Sequence, residues 1–99
     1  MVVGTCGASA IIASSIDHAI RALGRAKPNV VLMDMAVEGN PWRVLVEANG
    51  ARVPAVAFTF RCPDPREVEA KLRSFARPLR STDPVEVCNT VREAMAEAG

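Results

Sequence analysis

Residues 29–34, with the sequence NVVLMD, form an apolar run that lacks alternation and ends in the carboxylate of Asp34. A run of this kind is typical of a parallel strand that helices cover on both faces. Asp34 then lies at the carboxyl end of the strand, the edge at which open α/β sheets bind ligands. Asp34 is therefore a candidate functional residue. The alternative is a simple loop cap after a core strand.

Strand and helix patterns alternate along the rest of the chain. Further strands are predicted at residues 1–6, 10–13, 53–58 and 74–79, and helices at residues 16–24, 41–50, 65–73 and 84–95. Pro78 restricts the last strand to an edge of the sheet, because proline cannot donate a ladder hydrogen bond. The alternation predicts an α/β fold with a doubly wound, mostly parallel sheet.

Length and charge narrow the class of protein. The 99 residues predict one domain, residues 1–99, that buries enough surface to fold without staples. The net charge is +1 with both signs spread along the chain, so direct nucleic-acid binding is not expected. No apolar stretch has the length of a membrane span, and the first residues lack the basic start of a signal peptide, so no membrane association is expected.

The cysteines indicate the redox compartment. Cys6, Cys62 and Cys88 are odd in number, far apart in sequence and not part of a C-x-x-C pair. This spacing predicts neither a disulfide framework nor a zinc site. We therefore expect a protein of the reducing cytoplasm.

Three segments together resemble the receiver domain of bacterial two-component response regulators, particularly the LuxR-type subfamily. They are KPNVVLMD at residues 27–34, VAFT at 56–59 and LRSTDPVEV at 79–87, within a resemblance that runs from residue 10 to residue 97. The resemblance implies a flavodoxin-like sheet and a role in signal transduction or transcription regulation. It implies no enzyme activity, and its partner would be a histidine kinase or another regulator.

The resemblance also assigns roles to three residues. Asp34 matches the aspartate that accepts a phosphoryl group, and Thr59 matches the hydroxyl that turns toward it. Arg80 stands where the family usually has a lysine. Arg keeps the charge, but its planar fork differs in shape and reach from the compact lysine ammonium.

The front of the chain departs from the family. Receivers hold Mg²⁺ with an acidic pair at the end of their first strand, whereas the first acid here is Asp17. Residues 1–9 stand in place of most of the first strand-helix unit, as a remnant or a rearranged segment. Asp34 is then the one remaining metal ligand, and no cofactor is expected unless phosphorylation and Mg²⁺ are retained. We therefore expect slow or absent self-phosphorylation, since phosphoryl transfer depends on positioning and charge neutralisation.

The missing strand is central in the family, so its loss would leave a gap in the sheet. Residues 1–6 pairing antiparallel, residues 10–13 pairing directly with the strand at Val30, or exchange of elements with a second copy would each fill it. Unpaired strand edges favour association. We therefore expect a homodimer, with domain swapping as one route to it.

Two other features have open interpretations. Phe75, Arg77 and Arg92 belong to the side through which receivers dimerise or meet partners, as the resemblance implies, or to a mixed-charge solvated surface. The turn CGAS at residues 6–9 resembles the phosphocysteine loop of sugar-phosphotransferase IIB domains, with Cys6 as the carrier, or is a short surface turn. A phosphorylatable receiver and a phosphocysteine carrier are thus the alternatives to an atypical receiver.

Overall fold

The structure is a computed structural model that describes residues 10–13, 15–25 and 28–98. Strands and helices alternate from the first described element to the last. The strands are β1 (Ala10–Ala13), β2 (Val30–Asp34), β3 (Ala55–Phe58) and β4 (Arg77–Leu79). The helices are α1 (Ile16–Arg25), α2 (Pro41–Gly50), α3 (Pro65–Leu72) and α4 (Pro84–Ala98).

The four described strands form one parallel sheet in the order β1-β2-β3-β4. β1 pairs directly with β2, Ala10 opposite Val30, which is one of the three expected ways of closing the sheet. The predicted strand at residues 1–6 lies outside the described residues. Pro78 lies in β4, the last strand in this order, as predicted. The predicted α/β class is confirmed, and the arrangement is consistent with a small, truncated flavodoxin-like fold.

Helices cover both faces of the sheet. On one face, Val31 and Met33 pack in a core cluster with residues of α1, α2 and α3. On the other face, Val30 and Leu32 pack in a second cluster with residues of α4. These four side chains are at most 6% exposed, which explains why the β2 sequence shows no polar alternation.

Caps and prolines set the helix starts. The Ser15 hydroxyl accepts a hydrogen bond from the His18 amide at 3.2 Å, and Asp64 accepts one from the Glu67 amide at 3.4 Å. Each bond satisfies an amide that the first turn leaves unpaired. Asn40 occupies the position before α2 without a side-chain cap bond. At that start the proline alone fixes a helical φ.

The cysteines differ in state. Cys88 on α4 is disulfide-bonded, so the expectation that no cysteine is paired is wrong for this residue. Spacing along the sequence does not report distance in the fold, which is what decides disulfide formation. Cys62, the other cysteine in the described part of the chain, is free.

The length and hydropathy of the helices bear on membrane insertion. Among the described residues, no helix has both the length and the apolar character needed to cross a membrane.

Candidate functional site

The candidate site is the carboxyl edge of β2, β3 and β4. Asp34 ends β2 and lies opposite Phe58, and Phe58 lies opposite Leu79. Thr59 and Arg80 follow Phe58 and Leu79 directly, so the parallel register brings the three predicted residues to one edge. The Thr59 amide also donates to the Leu79 carbonyl at 3.0 Å, which fixes Thr59 beside the end of β4.

The chain directions diverge at this edge. After β3 the chain enters α3, which belongs to one face of the sheet, and after β4 it enters α4, which belongs to the other. Open α/β sheets bind ligands outside the carboxyl ends of their strands. Thr59 and Arg80 lie at this divergence.

Asp34 is held by its own loop and by a surface cation. Its Oδ1 accepts a hydrogen bond from the Ala36 amide at 2.9 Å, and its Oδ2 lies 3.5 Å from Nε of Arg61. The Asp34 side chain is 24% exposed and that of Arg61 is 59% exposed. Asp34 therefore caps the loop after β2, and its side chain remains partly exposed beside a solvated arginine.

Glu69 of α3 connects the other two predicted residues. The Thr59 hydroxyl donates to Glu69 Oε2 at 2.9 Å. The Arg80 guanidinium donates through Nε to Oε2 at 2.7 Å and through Nη2 to Oε1 at 2.9 Å. The two bonds from Arg80 form a bidentate arginine-carboxylate contact, a short and directional form of ion pair. Thr59 and Arg80 are thus directed at Glu69.

Charge and burial shift the pKa values of this group. The hydrogen bond from Arg80 lowers the pKa of the Glu69 carboxyl, the Thr59 bond and the charges of Arg80 and Arg66 add to the effect, and burial opposes it. The same bond raises the pKa of the Arg80 guanidinium. The pair is therefore ionised at neutral pH.

Cys62, in the loop after β3, is influenced by the charges of both carboxylates of this edge. Burial raises the pKa of the Cys62 thiol, and the negative charges of Asp34 and Glu69 raise it further. The Cys62 amide donates to the Thr59 carbonyl at 3.0 Å, which holds the residue next to the site. A thiol with a raised pKa is a weak nucleophile at neutral pH, so Cys62 is a packing residue here.

The donor set at this edge does not fit a protein-ligated Mg²⁺. Asp17 and Glu38 line the same groove as Asp34. Within residues 10–13, 15–25 and 28–98, however, no group of three or more His, Cys, Asp or Glu side chains is close enough to hold a metal ion. Arg61 also lies against Asp34. A metal that used Asp34 would need its further oxygen ligands from water, a phosphoryl group or another molecule.

The residues of the expected partner face lie on different sides of the sheet. Phe75 packs against the α1–α3 core and meets Trp42 edge-on, with ring centroids 6.3 Å apart. Arg77 pairs instead with Glu93 at 3.5 Å and with Glu97, both on α4. Arg92 is an exposed residue of α4. Phe75 and Arg77 also line an open groove at the amino edge of β3 and β4, opposite the candidate site.

Two charged residues of the site were not predicted from the sequence. The i,i+4 spacing of Glu69 and Arg73 predicts an ion pair between them on an exposed helix, but Glu69 is bonded to Arg80 instead. Its position three residues before the buried Leu72 was the available signal, because residues three apart share a helix face. Arg61 has no such signal, since it lies in the loop after β3.

A functional assignment for this chain depends on the side chains at the carboxyl edge. Comparison of the sequence with models of protein families found no match, and comparison with curated proteins found none either.

Proposed function

We propose that this chain is an atypical receiver-like module of the response-regulator type, which transmits signals through protein contacts and does not run a full Mg²⁺-dependent phosphorylation cycle. The observation that supports this is the engagement of both Thr59 and Arg80 by Glu69. The type of module is inferred from the sequence resemblance. The mode of action is inferred from the contacts of Glu69 with Thr59 and Arg80. The module is not an enzyme in this proposal.

A phosphorylation cycle would need these side chains at Asp34. A phosphoryl group on that carboxylate brings about −1.5 to −2 charges that must be neutralised and positioned. Arg80 occupies the position at which receivers usually have a lysine. Its Nε and Nη2 atoms, however, are bonded to Glu69. The Thr59 hydroxyl donates to the same carboxylate, so the group that would contact the phosphoryl oxygen is already in use. The cation paired with Asp34 is Arg61, at 3.5 Å.

The alternative is a receiver that still accepts a phosphoryl group at Asp34. The partly exposed side chain of Asp34 and the adjacent Arg61 favour it. A partner or a second copy would then supply the missing acids and the metal. The phosphocysteine alternative depends on Cys6, which lies outside the described residues.

Partners and compartment belong to the same proposal. The module acts in the cytoplasm, binds a histidine kinase or another regulator, and associates with a second copy of itself. Disulfides are rare in the cytoplasm, so we expect the bond at Cys88 to be reduced in the cell and to form only on oxidation. Rapid alkylation of thiols in cell extracts tests it, and finding Cys88 oxidised would contradict a cytoplasmic location.

Intact mass after incubation with acetyl phosphate tests the mode of action. The wild-type chain, Asp34→Asn and Cys6→Ser are compared with and without Mg²⁺. We expect no phosphoryl adduct on any of them. A Mg²⁺-dependent adduct that Asp34→Asn abolishes would establish the phosphorylatable receiver instead. An adduct that Cys6→Ser abolishes would establish the phosphocysteine carrier, and either result would overturn the proposal.

A further inference from the structure

One carboxylate at the carboxyl edge receives three hydrogen bonds from two other elements. The donors are the Thr59 hydroxyl at the end of β3 and two nitrogens of Arg80 just after β4. The acceptor is Glu69 on α3. A hydroxyl and a guanidinium fork converging on a planar or tetrahedral anion is an arrangement that recognises carboxylates and phosphates.

We propose that Thr59 and Arg80 form an oxyanion site that the chain fills with its own Glu69 carboxylate. The site would take a small external oxyanion, such as acetate or inorganic phosphate, when that carboxylate is removed. This inference does not depend on the proposed signalling role, because it concerns the affinity of two side chains for an anion.

The donors are built into the fold. Thr59 is 0% exposed, and its amide and its carbonyl are both in hydrogen bonds, to Leu79 and Cys62. These two bonds fix the backbone of Thr59, and therefore the position from which its hydroxyl extends. Without an acceptor, that buried hydroxyl would lose a hydrogen bond, and an anion that restores the bond is stabilised by it.

The site is also reachable from solvent. The Glu69 side chain is 21% exposed and that of Arg80 is 52% exposed. Truncating Glu69 to alanine would open a space beside the guanidinium at the protein surface. A small anion could then enter without unfolding of the chain.

The internal occupant has a structural consequence. Because Glu69 belongs to α3, its bonds fasten α3 to the ends of β3 and β4 whether or not an external anion is present. The carboxyl ends of β3 and β4 are thus held in an anion-bound arrangement by the chain's own Glu69 carboxylate. An external anion would have to compete with a carboxylate that is always nearby, so the wild-type chain should ignore added oxyanions.

Rescue of Glu69→Ala by sodium acetate or sodium phosphate tests the proposal. We expect the variant to have a lower Tm than wild type, and each anion to raise it relative to sodium chloride at equal ionic strength. The rise should be about 2 °C when the anion is present at its dissociation constant. Glu67→Ala is the matched control, since it removes a carboxylate of the same helix whose ion pair is with Lys71, at 3.5 Å.

Specificity of the rescue separates this site from general anion effects. The double variant Glu69→Ala with Arg80→Gln should show no rise with acetate or phosphate. An equal rise in Glu67→Ala or in the double variant, or no rise in Glu69→Ala, would overturn the proposal.

The pH dependence of Glu69→Gln gives an independent readout if the alanine variant does not fold. The charged and titratable groups that face Glu69 are Arg80, Arg66 and Cys62, and the two arginines stay protonated across the acid range. The lowered pKa of Glu69 means that its stabilisation is present above the unfolded-state pKa, about 4.3, and is lost as pH falls through the folded-state pKa. Wild type should therefore lose more Tm than Glu69→Gln between about pH 5 and about pH 3. Parallel curves for the two chains would contradict the proposal.

Discussion

Leu45→Ala is expected to lower the free energy of unfolding by about 2–5 kcal/mol. Leu45 of α2 is 0% exposed and belongs to the core cluster that joins α1, α2 and α3 to one face of the sheet. Truncation removes apolar contacts and leaves a cavity that the packed surroundings fill only in part. Because small domains are stable by about 5–15 kcal/mol, this loss would be a large share of the total.

Val46→Ala is the matched control for this prediction. Val46 is the next residue of the same helix and is 54% exposed, so the same kind of truncation should change stability by about 0.5 kcal/mol or less. Urea unfolding followed by the fluorescence of Trp42, the single tryptophan, measures both variants. Equal effects of the two substitutions would show that α2 does not pack through Leu45.

The same urea unfolding curves also test the proposed homodimer. An unfolding midpoint that rises with protein concentration would support it.

Val91→Asp is expected to destabilise the chain by about 4 kcal/mol or more, or to abolish cooperative unfolding. Val91 of α4 is 3% exposed and packs in the second core cluster with residues of β2 and β3. A carboxylate in that position would be removed from water among the apolar side chains of this cluster. The substitution tests whether α4 covers the second face of the sheet.

Asn89→Asp controls for the added charge. Asn89 is an exposed residue of the same helix, and this substitution introduces the same single negative charge at nearly constant side-chain size. Its unfolding midpoint should stay close to that of wild type. If Val91→Asp unfolds with the wild-type midpoint, α4 does not bury Val91 against the sheet.

Local patterns in the sequence were sufficient to predict most elements of the fold. The unbroken apolar run of β2 predicted a strand covered on both faces, and both core clusters contain its residues. The position of Pro78 predicted an edge strand, and β4 is the outermost of the described strands on its side of the sheet. These predictions succeeded because periodicity and backbone chemistry are properties of the segment itself.

Pairings between distant segments could not be predicted in the same way. Three ways of closing the gap in the sheet were compatible with the sequence. The register of the structure shows that β1 pairs directly with β2. The engagement of Arg80 by Glu69 spans 11 residues and two elements, so no helix spacing rule describes it. The parallel register did allow Asp34, Thr59 and Arg80 to be placed at one edge. Which of their groups are bonded depends on side-chain geometry that the sequence does not encode locally.

At the carboxyl edge, Arg80 is committed to Glu69, while Asp34 is paired with Arg61. Nuclear magnetic resonance of the arginine Nε–H groups measures this directly in wild type, Glu69→Gln and Asp34→Asn. We predict that the Arg80 Nε–H signal shifts and exchanges faster with water in Glu69→Gln and stays unchanged in Asp34→Asn, while the Arg61 signal does the reverse. An Arg80 signal that responds to Asp34→Asn and not to Glu69→Gln would contradict the account.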